Sequence, residues 1–276
     1  MGCFYVRHTM NKISLAIITA DSWRHRFFVN TLSDNFDVVG VVAETARNLP
    51  PGDTMEDNKI IAGHVRERKL KEETFFGQHT SYHVPAGRLL SIPHGHSNDT
   101  SVFKWVVELK PTFVILFGSG IIKDPLLSHF QNKMINLHLG LSPYYRGSAT
   151  SFWPLVFGEP ECVGSTVHLA VLKADAGAIL GQARPDVEAQ DRCQEFGCKN
   201  IISGAKLMIK YIKSYQAGQV TPQIQELSRG RVFKLSDFNA QAVLKMRLNF
   251  DDGMMDKYIQ NKEARDSRYP IIALRP

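Results

Sequence analysis

The sequence predicts an α/β protein, with a doubly wound, mostly parallel sheet in a Rossmann-like arrangement and a small C-terminal extension. Two observations lead there. Short apolar runs rich in β-branched residues recur along the first half of the chain: KISLAIITA at 12–20, VVGVVA at 38–43 and FVILF at Phe113–Phe117. Runs apolar on both faces are what strands need when helices cover them on both sides. Stretches of helical periodicity separate these runs, and strand–helix–strand units at this spacing join into parallel sheets.

Taken in order, the run at 12–20 is the first strand. Asp21 and Ser22 follow as N-cap residues, and Phe27, Phe28 and Leu32 give residues 23–32 a helical stripe. The run at 38–43 is the second strand, and LPPGD at 49–53 a turn. Residues 58–76 carry RERKLKEE, which suits a solvated helix. Leu89–Ile92 reads as a short strand. Residues 100–109 form a helix through Val102, Phe103, Val106 and Val107, stopped by Pro111. Phe113–Phe117 and residues 134–139 are the next strands. Residues 166–172 alternate like a strand, and Ile179–Ala183 returns beside them after the turn Asp175-Ala176-Gly177. Residues 196–215 make an amphipathic helix with Ile201, Ala205, Met208 and Ile212 inward, closed by Gly218. Beyond it a strand near Val232 and one or two short helices over 243–258 are expected. The organisation is therefore an extension at 1–11, a catalytic domain at 12–218 and a small piece at 219–276.

Composition narrows the function classes. The chain has 276 residues, 43% hydrophobic and 22% charged, the balance of a water-soluble globular protein. Its apolar runs are too short to span a bilayer, and the first ten residues lack the apolar stretch of a secretory signal. Met1-Gly2-Cys3 invites myristoylation, but Val6 stands where that pattern needs Ser or Thr, so a start near Met10 is favoured. Cys3, Cys162, Cys193 and Cys198 are too few for a disulfide framework, and free thiols fit a reducing cytoplasm. Neither the cysteines nor His94 and His96 complete a metal set, and no metal is expected. The net charge of +6 suits a solvated basic surface, a small anionic ligand or nucleic acid, in that order. No interleaving of aromatic and basic residues of the kind that stacks bases is found.

Two segments are chemically odd. Asn136 and His138 interrupt an apolar strand, and the period of two puts them on one face. Asp175 lies in a turn that could meet that strand's end. An amide donates at any pH, an imidazole moves protons near neutrality, and a carboxylate orients and charges the ring. The set suits attack of an amine on a carbonyl and holds no nucleophile of its own. Taken singly, each residue also has a structural explanation: a backbone-satisfying Asn, a hydrogen-bonded core His, an Asx-turn Asp.

Asn136-Leu137-His138, followed by Ser142-Pro143-Tyr144-Tyr145-Arg146-Gly147 and later by Asp175-Ala176-Gly177, resembles the signature of 10-formyltetrahydrofolate-dependent formyltransferases. The resemblance covers about residues 12–215. It implies that Asn136 and His138 hold the formyl oxygen as it becomes an oxyanion, that His138 also handles a proton, and that Asp175 assists deprotonation of the amine. It further implies a pterin pocket along Gly120-Ile121-Ile122 and Val171-Leu172-Lys173-Ala174-Asp175, with Ser148 touching the folate. Two departures are Leu139 in place of the Gly after the His, and Leu141-Ser142 in place of the double Leu before Pro143.

The pattern is most similar to formyltransferases that act on nucleotide-linked amino sugars for surface polysaccharide, with Tyr144 and Trp153 as candidate apolar faces for a sugar or base. Other small amines, methionyl-tRNA, glycinamide ribonucleotide and simple hydrolysis are the alternatives, and a folate- or RNA-binding module is the non-enzyme alternative. The piece after Gly218 has three candidate jobs: forming a homodimer, closing over the acceptor, or buttressing the sheet.

Overall fold

The computed structural model describes residues 12–45 and 49–273. The expectations about residues 1–11, including Cys3 and the choice of start, lie outside them. β1 (Ser14–Ala20) is buried from Leu15 to Thr19, and Ser22 turns the chain into α1 (Trp23–Ser33). β2 (Asp37–Glu44) follows. α2 (Met55–Phe76) starts at a capping box: the Asp57 N–H donates to Thr54 Oγ1 at 3.1 Å and the Thr54 N–H to Asp57 Oδ2 at 3.2 Å. The sequence predicts α2 as a solvated helix. Its outer face is, but Ile61, His64, Glu72 and Phe76 are buried, because later helices pack on it.

β3 (Leu89–Ile92), α3 (Thr100–Glu108), β4 (Phe113–Phe117), α4 (Leu126–His129) and β5 (Met134–His138) complete the first half. Then come β6 (Tyr145–Gly147), α5 (Trp153–Val156), β7 (Ser165–Leu169), β8 (Ile179–Ala183) and α6 (Cys193–Gln216). β9 (Arg231–Phe233) and the helices α7 (Ala240–Asp251), α8 (Met254–Gln260) and α9 (Lys262–Asp266) form the last part. β7 ends at Leu169, three residues short of the expected strand, because the chain after it folds back over the sheet face.

Seven strands form one sheet in the order β3-β2-β1-β4-β5-β7-β8. The first five are mutually parallel; β7 pairs antiparallel with β5, and β8 antiparallel with β7, so only β7 runs against the rest. The chain winds outward in one direction through β2 and β3 and in the other through β4 and β5. Sheets of this topology bind ligands outside the carboxyl ends of their strands, near that reversal. One face, with Ile17, Phe117 and Leu137, packs against Phe28 of α1 and Met208 of α6. The other, with Ile18 and Leu116, packs against Val102 of α3 and Leu126 of α4.

A third cluster joins Tyr145, Trp153 and Leu155 to Phe238, Val243 and Tyr258 of the C-terminal part. It corrects one expectation. Trp153 is buried, stacked on Phe233 at 4.7 Å, with its Nε1–H given to the Ser148 carbonyl; Tyr144 is buried against Tyr269. Both rings are core, and neither offers a face to a sugar. Among the described residues no helix is long and apolar enough to cross a membrane.

Candidate active site

The site lies where the parallel half of the sheet meets its antiparallel edge. β5 pairs with β7 so that Asn136 stands opposite His168 and His138 opposite Thr166. Residues two apart on a strand, and residues directly opposite across a pair, share a face, so Asn136, His138 and His168 project together. The loop after β7 returns over that face and delivers Asp175. Two backbone features make the return possible. Asp175 is left-handed, with φ +46°, a conformation Asp tolerates better than most residues. A side chain at Gly177 would strike the Leu169 carbonyl.

The structure thus brings the three expected residues together. Asp175 Oδ1 accepts from Asn136 Nδ2 at 3.2 Å, and Oδ2 accepts from the Gly147 N–H at 2.9 Å. His138 Nδ1 lies 3.3 Å from Asp175 Oδ2. The ring's other nitrogen, Nε2, is 2.8 Å from the Tyr145 carbonyl, which can only accept, so the proton of the neutral ring sits on Nε2. Nδ1 then turns its lone pair toward a carboxylate. One proton delivered between Nδ1 and Oδ2 would satisfy both.

His168 is the residue sequence reasoning missed. Its Nδ1–H donates to the Leu169 carbonyl at 2.8 Å, leaving Nε2 to accept from Asn136 Nδ2 at 3.0 Å; Asp175 Oδ1 lies 3.5 Å from the same nitrogen. Both hydrogens of the Asn136 amide are therefore held inside the protein, and its Oδ1 has no hydrogen-bond partner among the described residues. The available signal was a lone His within the otherwise apolar or small-residue strand Ser165–Leu169.

Charge follows burial. Burial of the His138 ring lowers its pKa, with Asp175 and the Tyr145 carbonyl pulling partly back, so the ring is neutral at neutral pH. Burial would raise the Asp175 carboxyl, but at the low pH where it titrates both histidine rings are protonated, and they and the Gly147 N–H outweigh burial and hold the group well below the usual carboxylate range. No cysteine among the described residues is primed as a nucleophile: burial pushes Cys193 and Cys198 up to about 12, and Cys162 higher still, which keeps all three as thiols.

The loop around the site is rigidly tied. Thr166 Oγ1 donates to the Gly140 carbonyl at 2.6 Å and accepts from the Ser142 N–H at 3.0 Å and Gln182 Nε2 at 3.0 Å. Gln225, from the C-terminal part, donates to the Asp175 and Gly177 carbonyls at 2.9 and 2.7 Å. Gly147, at φ +90°, lets β6 approach β9, since a side chain there would strike the Phe233 carbonyl.

The residues expected along the pterin lie on two separate loops and in the segment after β6. Gly120-Ile121-Ile122 follows β4; Asn98 clamps it by donating to the Ile121 carbonyl at 3.0 Å and accepting from the Lys123 N–H at 2.7 Å. Ile122 is buried while Ile121 is 49% exposed. Val171, Leu172 and Lys173 are exposed, Ala174 half-buried, and Leu172 is 60% exposed. No hydrogen bond joins the two segments among the described residues. Ser148 is half-buried, its N–H given to the Phe233 carbonyl at 2.8 Å. His94 faces Glu44 and His96 pairs with Asp99. Among the described residues no group of three or more His, Cys, Asp or Glu is arranged to hold a metal.

The sequence and the fold have relatives. A methionyl-tRNA formyltransferase from Finegoldia magna is 32% identical over 120 residues, 43% of this chain and 38% of that protein. The match thus spans well under two thirds of that relative's length. In fold, the chain resembles glycinamide ribonucleotide transformylase 1 from Symbiobacterium toebii: TM-score 0.53, 16% identity, 78% of this chain and 94% of that one. It also resembles a sugar N-formyltransferase from a Shewanella species: TM-score 0.52, 19% identity, 82% and 78% covered. Residues 28–212 match the family described as formyl transferase, and the chain belongs to that family.

Proposed function

We propose that the protein transfers a formyl group from 10-formyltetrahydrofolate to a primary amine, most simply that of a nucleotide-linked amino sugar, in the cytoplasm. The observation that carries this reading is the His138–Asp175 pair. A neutral ring turns its lone pair to an ionised carboxylate 3.3 Å away, beside an amide and with no activated thiol. Such a pair takes up a proton; it does not attack a carbonyl.

The amine nitrogen attacks the formyl carbon, and the carbonyl electrons move to oxygen. Asn136 stabilises that oxyanion by exchanging its 3.2 Å bond to Asp175 for one to the substrate. Catalytic hydrogen bonds are often long before substrate arrives and tighten afterwards. The proton lost by the amine lodges between His138 Nδ1 and Asp175 Oδ2. Collapse of the tetrahedral intermediate re-forms the carbonyl and expels tetrahydrofolate, whose nitrogen takes that proton back. Gly120, Ile121, Ile122, Ser148 and the segment Val171, Leu172, Lys173, Ala174 and Asp175 are assigned to the folate. The exposed Ile121 and Leu172 suit the faces of a flat ring.

The packing of the C-terminal part favours a small acceptor. Residues 219–273 hold one three-residue strand and three α-helices. That piece packs on the catalytic part and does not extend away from it. The methionyl-tRNA formyltransferase among the relatives keeps methionyl-tRNA as the second reading.

The test is tetrahydrofolate release from 10-formyltetrahydrofolate, alone and with nucleotide-linked 3-amino and 4-amino sugars, or with methionyl-tRNA. Release that requires one amino sugar is expected. Release without any amine means hydrolysis, release with methionyl-tRNA alone selects the second reading, and no folate binding overturns the proposal.

A further inference from the structure

Arg146 is 4% exposed in β6, between Tyr145, whose carbonyl receives His138, and Gly147, whose N–H holds Asp175. A guanidinium cannot shed its charge, and burying one without a counter-ion is costly. The other half-buried arginines have carboxylates: Arg24 and Arg68 share Glu72, Arg26 has Asp21, Arg184 has Asp266, Arg247 has Glu67, and Arg265 has Glu161. Arg146 has none among the described residues. Its Nη2 donates to the Leu227 carbonyl at 3.4 Å, a long bond, while Nε and Nη1 are buried with no partner.

The ribbon of β6 and β9 shows where the free side of this group looks. Tyr145, Arg231 and Phe233 share one face: Phe233 stacks on Tyr145 at 5.8 Å and the Arg231 guanidinium lies 5.4 Å from the same ring. Alternation puts Arg146 and its register partner Val232 on the opposite face, and Val232 is 51% exposed. A buried cation with unused donors thus stands beside an uncovered apolar side chain, close enough to His138 for its charge to oppose protonation of that ring.

We propose that Arg146 is an oxyanion-binding subsite at the wall of the reaction centre, taking a phosphate or carboxylate group of a substrate. It depends on the proposed reaction only for the identity of that substrate. Two oxygens on the free edge of the guanidinium would supply the missing counter-charge and the missing hydrogen bonds together. An acceptor joined to a nucleotide brings phosphates, and a folate brings the carboxylates of its glutamate; the chemistry is shared.

The test is calorimetric titration of the whole protein with inorganic pyrophosphate and, separately, with p-aminobenzoylglutamate, the carboxylate-bearing half of a folate. The wild-type protein, Arg146→Met and Arg146→Lys are compared. Met fills the same space without charge, so Arg146→Met is expected to melt no lower than wild type while binding one probe about tenfold more weakly or worse. Lys keeps the charge without the planar fork and is expected to fall between. Loss confined to pyrophosphate assigns the subsite to acceptor phosphate; loss confined to the other probe assigns it to the folate. Equal binding by wild type and Arg146→Met, or no binding of either probe to wild type, overturns the proposal. Should the Met variant not fold, unchanged affinity in Arg146→Lys overturns it. The binding is read without turnover, so a failure of the formyl-transfer reading would leave this result standing.

Discussion

The parallel and antiparallel parts of the sheet are built on opposite rules. β1, β2 and β4 are mostly dry: Ile17, Val41 and Ile115 are fully buried in the apolar cluster, and the buried polar residues Thr19 and Glu44 come only at the strands' carboxyl ends. One step along, β5, β7 and β8 carry Asn136, His138, Thr166, His168 and Gln182 within the same continuous ladder. Each of these polar side chains has a partner, and several have three. A sheet tolerates polar groups in its interior only when they are bonded, since an unsatisfied one costs about as much as a buried methyl cluster gains. The dry part is therefore a support that any similar apolar residues could build. The wet part is a specified arrangement, and chemistry resides there.

Substitutions can break that contrast. The largest expected effect is His138→Ala: turnover should fall by about 10²–10⁴-fold, the range for losing a general acid–base group, with folate affinity nearly kept. Single-turnover kinetics beside a folate titration would check it, and unchanged turnover would remove His138 from the mechanism. Ile115→Ala addresses the dry side. It should cost about 2–5 kcal/mol by denaturant unfolding, while the activity of the protein that remains folded is preserved. Thr166→Val tests whether the wet side is held by bonds or by shape. Losing three hydrogen bonds with little change in volume should cost about 1–3 kcal/mol, and should raise the mobility of residues 139–144 in hydrogen exchange.

The smallest effect is a displacement on the pH axis. The His138 pKa is lowered, so its neutral form persists below the ordinary imidazole value of about 6.5, and the acid limb of kcat/KM should lie below that value. Asp175 pulls that pKa up, so Asp175→Asn should move the limb lower still in whatever activity survives. A limb at or above 6.5 would mean that another group controls it.

The dry side was legible in the sequence. The runs at 12–20, 38–43 and Phe113–Phe117 are strands, because unbroken β-branched stretches have few other ways to be buried. Helix α6 followed from its 3.6-residue stripe. Asn136, His138 and Asp175 converge as their spacing and the family resemblance suggested. Other features were not legible. β6 and β9 are three residues each, too short for any periodicity, and their pairing depends on contacts far apart in sequence. His168 lay in a strand read correctly, but its role depends on the antiparallel register that sets it opposite Asn136. Trp153 and Tyr144 looked available because aromatic side chains in a loop carry no mark of burial; the C-terminal part that covers them had no strong pattern of its own.

The pairing of β6 with β9 has a consequence for biosynthesis. Tyr145 and Arg231 are 86 residues apart, yet they are partners in the ribbon that carries Gly147, and Gly147 holds Asp175. A chain growing from the ribosome can assemble the parallel sheet as soon as β5 has emerged. The strand that carries Gly147 gains its pairing partner only when β9 has arrived. The reacting centre is thus finished last, and a nascent or truncated chain ending before Phe233 would carry the support without the wall that makes it work.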